Sequence, residues 1–183
     1  MRFAVLLFPG TWSDHDCHYV LRELLGQEAD LVWHRQADLS AYDCVVLPGV
    51  LLRNESLQFR CQDVHLRAEN LETPFTRLCR PGQALRVPIS HGEGRYYADE
   101  ATLDELEANG RVAFRYCTPE GEVTPEANPN GSLRNIAGIV SGRGNVLGLM
   151  PHPERASEAL MGGDDALLLW RSVIEAGVEA VAG

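Results

Sequence analysis

The chain has 183 residues, of which 45% are hydrophobic and 23% charged, and its formal net charge is -10. A chain of this length fits one domain, residues 1–183, that buries roughly 70% of the surface its unfolded form exposes. The acidic balance excludes non-specific nucleic-acid binding, which needs clustered Lys and Arg to displace counterions. The five cysteines, Cys17, Cys44, Cys61, Cys79 and Cys117, form no CxxC pair and match no zinc framework. Their odd number, with no signal peptide, points to the reducing cytoplasm. The opening apolar run is far too short to span a bilayer, so no membrane is expected.

Phe3 to Phe8 is continuously apolar and is closed by Pro9-Gly10, as a strand buried on both faces reads. Ser13 and Asp14 offer N-caps to a helix through Tyr19, Val20, Leu21, Leu24 and Leu25. Leu31 to His34 and Tyr42 to Leu47 read as strands, the latter stopped by Pro48-Gly49. This order suggests the start of an open α/β sheet. Phe59 to Leu66 and Ala84 to Ile89 have strand length and pattern, and His91-Gly92-Glu93-Gly94 follows as a turn. The spacing predicts a helix from Asp99 to Asn109, stopped by Gly110, with Leu103 and Leu106 on one face. Val112 to Tyr116 is a strand, and 118–131 is a loop rich in Pro, Gly, Asn and Glu. Ile136 to Val140 and Asn145 to Met150 are joined by Ser141-Gly142-Arg143-Gly144, a hairpin signal. Leu160 to Ala176 closes the chain as an amphipathic helix.

The densest chemical cluster is Met150-Pro151-His152-Pro153-Glu154-Arg155, directly after an apolar strand. A carboxylate two residues from a histidine can hold the imidazole's tautomer and stabilise its charged form, as a general base beside a nucleophile requires. The same spacing also fits a turn histidine beside an exposed glutamate.

Gly148 to Arg155 resembles the catalytic His/Glu signature of the class I (triad) glutamine amidotransferases, most narrowly the glutaminase subunit of phosphoribosylformylglycinamidine synthase. The likeness continues in order along nearly the whole chain. It includes Phe8-Pro9-Gly10, Trp33-His34, Leu47-Pro48-Gly49, Arg53-Asn54-Glu55-Ser56-Leu57 and Phe59-Arg60-Cys61. Beyond these come His91-Gly92-Glu93-Gly94, Asn128-Pro129-Asn130-Gly131-Ser132, Ile136 to Val140 and Gly144 to Gly148.

The resemblance implies a flavodoxin-like α/β fold, an open mixed sheet with helices on both faces. It implies His152 as base and Glu154 as its orienter in cleaving glutamine to glutamate and ammonia. The ammonia would pass to a large synthetase subunit, which uses ATP and Mg to amidate formylglycinamide ribonucleotide, in a complex with a small accessory subunit. No cofactor is implied for the glutaminase itself. His91 and Glu93 fit the glutamine or partner-facing crevice, and equally a plain tight turn.

One part of the pattern is missing. The family's nucleophile sits on a strand-to-helix elbow written like Gly-x-Cys-Asn-Gly-Phe-Gln, which exposes the sulfur and aims backbone N–H groups at the oxyanion. Here Leu47-Pro48-Gly49 runs straight into Val50-Leu51-Leu52-Arg53-Asn54. A central strand–helix segment between Gly49 and Val50, longer than the roughly 30 residues of a βαβ unit, has no counterpart.

None of the five cysteines has elbow context. Cys44 lies mid-strand and reads as core packing. Cys17, in Asp14-His15-Asp16-Cys17-His18, fits either a metal or thiolate site or a solvated first helical turn. Arg134 and Arg143 read as solvated.

Overall fold

The computed structural model describes residues 1–7, 9, 13–36, 38–46 and 52–182, without the side chains of 180–182. The turn Leu47-Pro48-Gly49 and its junction with Val50 therefore lie outside the described residues, as do Phe8 and Gly10. The chain divides into two compact units, Met1–Gly49 with Val173–Gly183, and Val50–Ser172.

The first unit is built on a continuous apolar strand. β1 (Arg2–Leu7) lies between β2 (Glu28–Trp33) and β3 (Cys44–Val46), with both pairings parallel. Phe3, Ala4 and Val5 are wholly buried, because the central strand of a parallel sheet is covered on both faces. The crossover from β1 to β2 is helical, α1 (Asp14–Tyr19) continuing as a π-helical turn, Val20–Leu24. It buries Cys17, Val20 and Leu21. Asp14 and Asp16 lie in the first turn, where the helix dipole favours negative charge.

The second unit is a five-stranded antiparallel sheet. Its strands are β4 (Arg60–Ala68), β5 (Ala84–His91), β6 (Val112–Cys117), β7 (Ile136–Val140) and β8 (Leu147–Leu149), in the order β5-β4-β6-β7-β8. The expected 141–144 hairpin is present: β7 and β8 pair in antiparallel register, Ile139 facing Gly148. Leu66, Leu85, Val87, Ile89, Phe114 and Tyr116 are fully buried in its core. α2 (Glu100–Ala108) starts as the sequence predicts, the Asp99 carboxylate accepting from Thr102 N at 2.9 Å. Its Leu103 and Leu106 pack on Val112 and Ile136.

The class expected from sequence holds: the fold is α/β, with parallel and antiparallel strands both present. Among the described residues these strands form two sheets rather than one. Two local expectations need correcting. The last helix, α3 (Leu167–Ala182), begins later than Leu160. Leu160 and Met161 lie in a single 3-10 turn that stops at Gly162, where φ is 101°, a value that favours glycine. Arg134 is not merely solvated: its guanidinium pairs with Glu100 at 2.6 Å, Asp104 at 2.7 Å and Glu107 at 3.2 Å, tying the segment before β7 to α2. No helix among the described residues is long and apolar enough to cross a membrane.

Candidate active site

The site is built on the edge of the antiparallel sheet. β5 is an edge strand, which is why it tolerates Pro88: a missing N–H there interrupts no ladder. Its outward groups are covered by the chain that follows β8. His152 N donates to Pro88 O at 2.9 Å, and Arg86 N donates to the Asp165 carboxylate at 2.9 Å. The main chain of His152 is thus pinned to β5, and a 3-10 turn, Pro153–Arg155, opens immediately after it.

That turn folds Glu154 back under the imidazole. His152 Nδ1 lies 2.6 Å from Glu154 Oε1, with the glutamate side chain 3% exposed and that of histidine 18%. Arg155 Nε stands 3.8 Å from the same oxygen. Because a carboxylate accepts, Nδ1 carries the hydrogen and Nε2 is the basic nitrogen. The two residues predicted from the sequence are therefore brought together in the geometry of a general base and its orienter.

His91 closes β5 and is buried. Asn130 Nδ2 contacts its Nε2 at 3.1 Å, Gly94 O at 2.8 Å and Tyr116 Oη at 3.1 Å. An amide nitrogen donates, so the His91 Nε2 accepts and the hydrogen rests on Nδ1. That Nδ1 is buried with no hydrogen-bond partner among the described residues. Burial, with a smaller push from the charge of His152, lowers the His91 pKa from 6.5 to about 4. His91 is thus a neutral imidazole near enough to His152 to feel its charge. Glu93 does not join them: its half-exposed carboxylate faces Arg53, Oε1 to Nε 3.5 Å.

Asparagines hold this corner together. Asn54 Nδ2 donates to Gln58 O at 2.8 Å and His91 O at 2.9 Å, and its Oδ1 accepts from Gly94 N at 3.0 Å. Asn130 Oδ1 accepts from Ser132 N at 3.1 Å and Ser132 Oγ at 2.7 Å. Gly94 is required by close approach, since a Cβ there would run into the His91 ring. Sequence reading placed Asn54 and Asn130 in motif segments but missed that both are buried anchors. Their partners around His91 and Gly94 lie 36 to 40 residues away in sequence, and only the turn-forming composition around them hinted at the role.

The described site residues fall within the stretch 42–163, which matches the model of the CobB/CobQ-like glutamine amidotransferase domain. A phosphoribosylformylglycinamidine synthase subunit PurQ from Moorella thermoacetica is 43% identical over 226 residues, 96% of this chain and 96% of its own length. The protein of the same name from Salinibacter ruber is 42% identical over 224 residues, 94% of this chain and 95% of that one. The chain belongs to the PurQ family of glutamine amidotransferases. The structure of PurLQS from Thermotoga maritima superposes with a TM-score of 0.80 at 30% identity, covering 95% of this chain and 97% of that one. A Thermoplasma acidophilum protein assigned as a GMP synthase subunit shares the fold, with a TM-score of 0.62 at 12% identity, covering 100% of this chain and 96% of that one.

None of the five cysteines, all of them among the described residues, is in a disulfide. Burial pushes the Cys79 and Cys117 thiols up to about 11 and raises Cys44 as well, so none of these three is a thiolate at neutral pH. Cys61 is exposed on β4. Cys17 is buried in α1, and no group of three or more His, Cys, Asp or Glu among the described residues is arranged to hold a metal ion.

Proposed function

We propose that the chain is the glutaminase subunit of phosphoribosylformylglycinamidine synthase, in a form that lacks its nucleophile. The observation that carries the reading is the 2.6 Å contact between His152 Nδ1 and Glu154 Oε1 at the edge of β5. In a form that carries the nucleophile segment, Nε2 takes the proton of its cysteine thiol. The thiolate attacks the amide carbon of glutamine, ammonia leaves with the proton returned by His152, and water releases glutamate from the thioester. Glu154 keeps the tautomer fixed and stabilises the imidazolium while it carries the proton. The buried Nδ1–H of His91 is suited to hold an acceptor atom of a ligand beside His152.

The loss of the nucleophile segment is supported by two observations. The match with the Moorella protein runs over 226 residues, whereas this chain has 183. Leu47-Pro48-Gly49 also passes directly into Val50 with no elbow sequence between them. The three thiols raised by burial offer no substitute. The glutaminase needs no cofactor of its own in this reading; ATP and Mg act on the large synthetase, and a small accessory subunit completes the complex. Docking on the synthetase does not require the nucleophile, so a non-catalytic docking role is the second reading, favoured by the same absence.

The test is glutamate release from glutamine, with the purified synthetase subunit present. The chain is expected to show none above background. Inserting the corresponding segment of the Moorella relative between Gly49 and Val50 should restore it, and His152→Asn in that restored form should abolish it. A glutamyl thioester on any of the five native cysteines would overturn the reading.

A further inference from the structure

β4 and β5 pair so that Val64 faces Val87, Gln62 faces Ile89 and Arg60 faces His91. Directly opposed residues of an antiparallel pair point to the same side of the sheet, and alternate residues along each strand share that side. Val64, Val87 and Ile89 are buried in the core of this unit, so Arg60 opens β4 on the side that carries His91. An arginine at a strand end ordinarily rests its methylenes on apolar groups and carries the guanidinium out to water. Arg60 is instead half-buried, and its Nε is buried with no hydrogen-bond partner among the described residues. None of the side-chain hydrogen bonds or ion pairs among those residues includes it.

The facing ring has the same want. His91 Nε2 accepts from Asn130, and the hydrogen on Nδ1 is buried without a partner among the described residues. Directly opposed residues stand with their Cβ atoms about 5 Å apart. A buried donor left unpaired costs free energy, and more so when it is charged. Two such donors on one cross-strand pair call for an acceptor that serves both.

The chemistry of the pair narrows that acceptor. A carboxylate only accepts, and its two oxygens match both a guanidinium and a second N–H donor. Burial keeps His91 neutral, so the pair offers one positive charge. That balances a carboxylate, whereas a phosphate monoester carries nearly two negative charges. The position fits as well, because His91 lies near enough to His152 to feel its charge. We infer that Arg60 and His91 bind the α-carboxylate of glutamine, with the side-chain amide directed at His152; this rests on the glutaminase reading. The pair then selects the free amino acid over glutamine within a peptide, whose α-carboxyl is tied up as an amide.

Glutamine affinity of the full chain, followed by NMR through the imidazole resonances of His91, tests the assignment against glutaminamide, which has no α-carboxylate. Arg60→Met keeps the apolar stem and removes the charge and the donors. Its Tm should be unchanged or higher, since the lost donor has no partner within the fold. It should weaken glutamine roughly tenfold to a hundredfold, as the loss of a charge-assisted hydrogen bond does, and leave glutaminamide unweakened. Arg60→Lys, which retains the charge without the fork, should lose less. Equal weakening of both ligands, or of neither, overturns the subsite while the glutaminase reading stands. Tighter binding of inorganic phosphate than of glutamine, lost in Arg60→Met, would assign the pair to a phosphate group and overturn it too. If the full chain does not bind glutamine, the form carrying the Moorella segment undergoes the same comparison; absence of binding there sinks the glutaminase reading and the inference with it.

Discussion

His152 is held at both ends: its Nδ1 sits 2.6 Å from Glu154 Oε1, and its main-chain N–H bonds to Pro88 O of the neighbouring edge strand. The first contact sets the tautomer and the second sets the position, so the imidazole is held in one orientation by the fold itself. Replacing Glu154 removes the buried acceptor at Nδ1. Glu154→Ala is expected to lower stability by about 1–3 kcal/mol, read as a shift of the urea midpoint. In a form with the nucleophile restored, Glu154→Gln should reduce kcat by on the order of 10²- to 10⁴-fold, since the imidazole loses its charged partner.

Asn54 satisfies three main-chain groups at once. Asn54→Ala leaves them buried without that partner, and the expected loss is about 3 kcal/mol. Thermal unfolding followed by circular dichroism checks it; a change within a few tenths of a kcal/mol would show that the network is not what holds the His91 corner.

Gly94 admits no side chain because the His91 ring fills the space. Gly94→Ala is expected to cost about 1–3 kcal/mol, as overpacking does in a well-filled interior. The same substitution should displace the His91 ring from Asn130, which the imidazole resonances of His91 would report by NMR.

The buried His91 gives stability a specific pH dependence. Its folded pKa, about 4, lies below the 6.5 of the free side chain. The unfolded chain therefore binds more protons between these values, and stability falls as pH drops through that window. The full effect is about 3 kcal/mol between pH 7 and pH 4. His91→Gln removes the titrating group, so the difference in stability between parent and variant should shrink steadily as pH falls. A constant difference across that range would refute the assignment.

Thiol reactivity separates the cysteines. Cys61 is exposed, whereas Cys79 and Cys117 are buried with pKa values pushed up to about 11. Maleimide at neutral pH should modify Cys61 first and reach Cys79 and Cys117 only on unfolding, with peptide mass spectrometry as the readout.

Much of the architecture is legible in local pattern. β1 is recognisable because a strand covered on both faces must be apolar at consecutive positions, as Phe3 to Leu6 are. α2 is recognisable because Asp99 caps it and Leu103 and Leu106 repeat at helical spacing. The later start of α3 has a local cause that periodicity hides: Leu160 and Met161 continue the apolar pattern, but Gly162-Gly163 interrupts the backbone. The role of Arg134 escapes a local reading because its three carboxylate partners lie 27 or more residues away on α2.

The amino-acid order by itself puts His152 and Glu154 within reach of each other, separated by one proline, and the structure decides that the glutamate is buried and meets the imidazole. The order also determines the direct passage from Gly49 to Val50. Only the tertiary structure decides that His91 stands neutral beside His152, that Asn54 and Asn130 clasp it, and that Glu93 instead turns to Arg53. These contacts depend on strands and loops paired across 36 to 40 residues of chain. Burial and the desolvation that follows from it are properties of that pairing, and no window of sequence contains them.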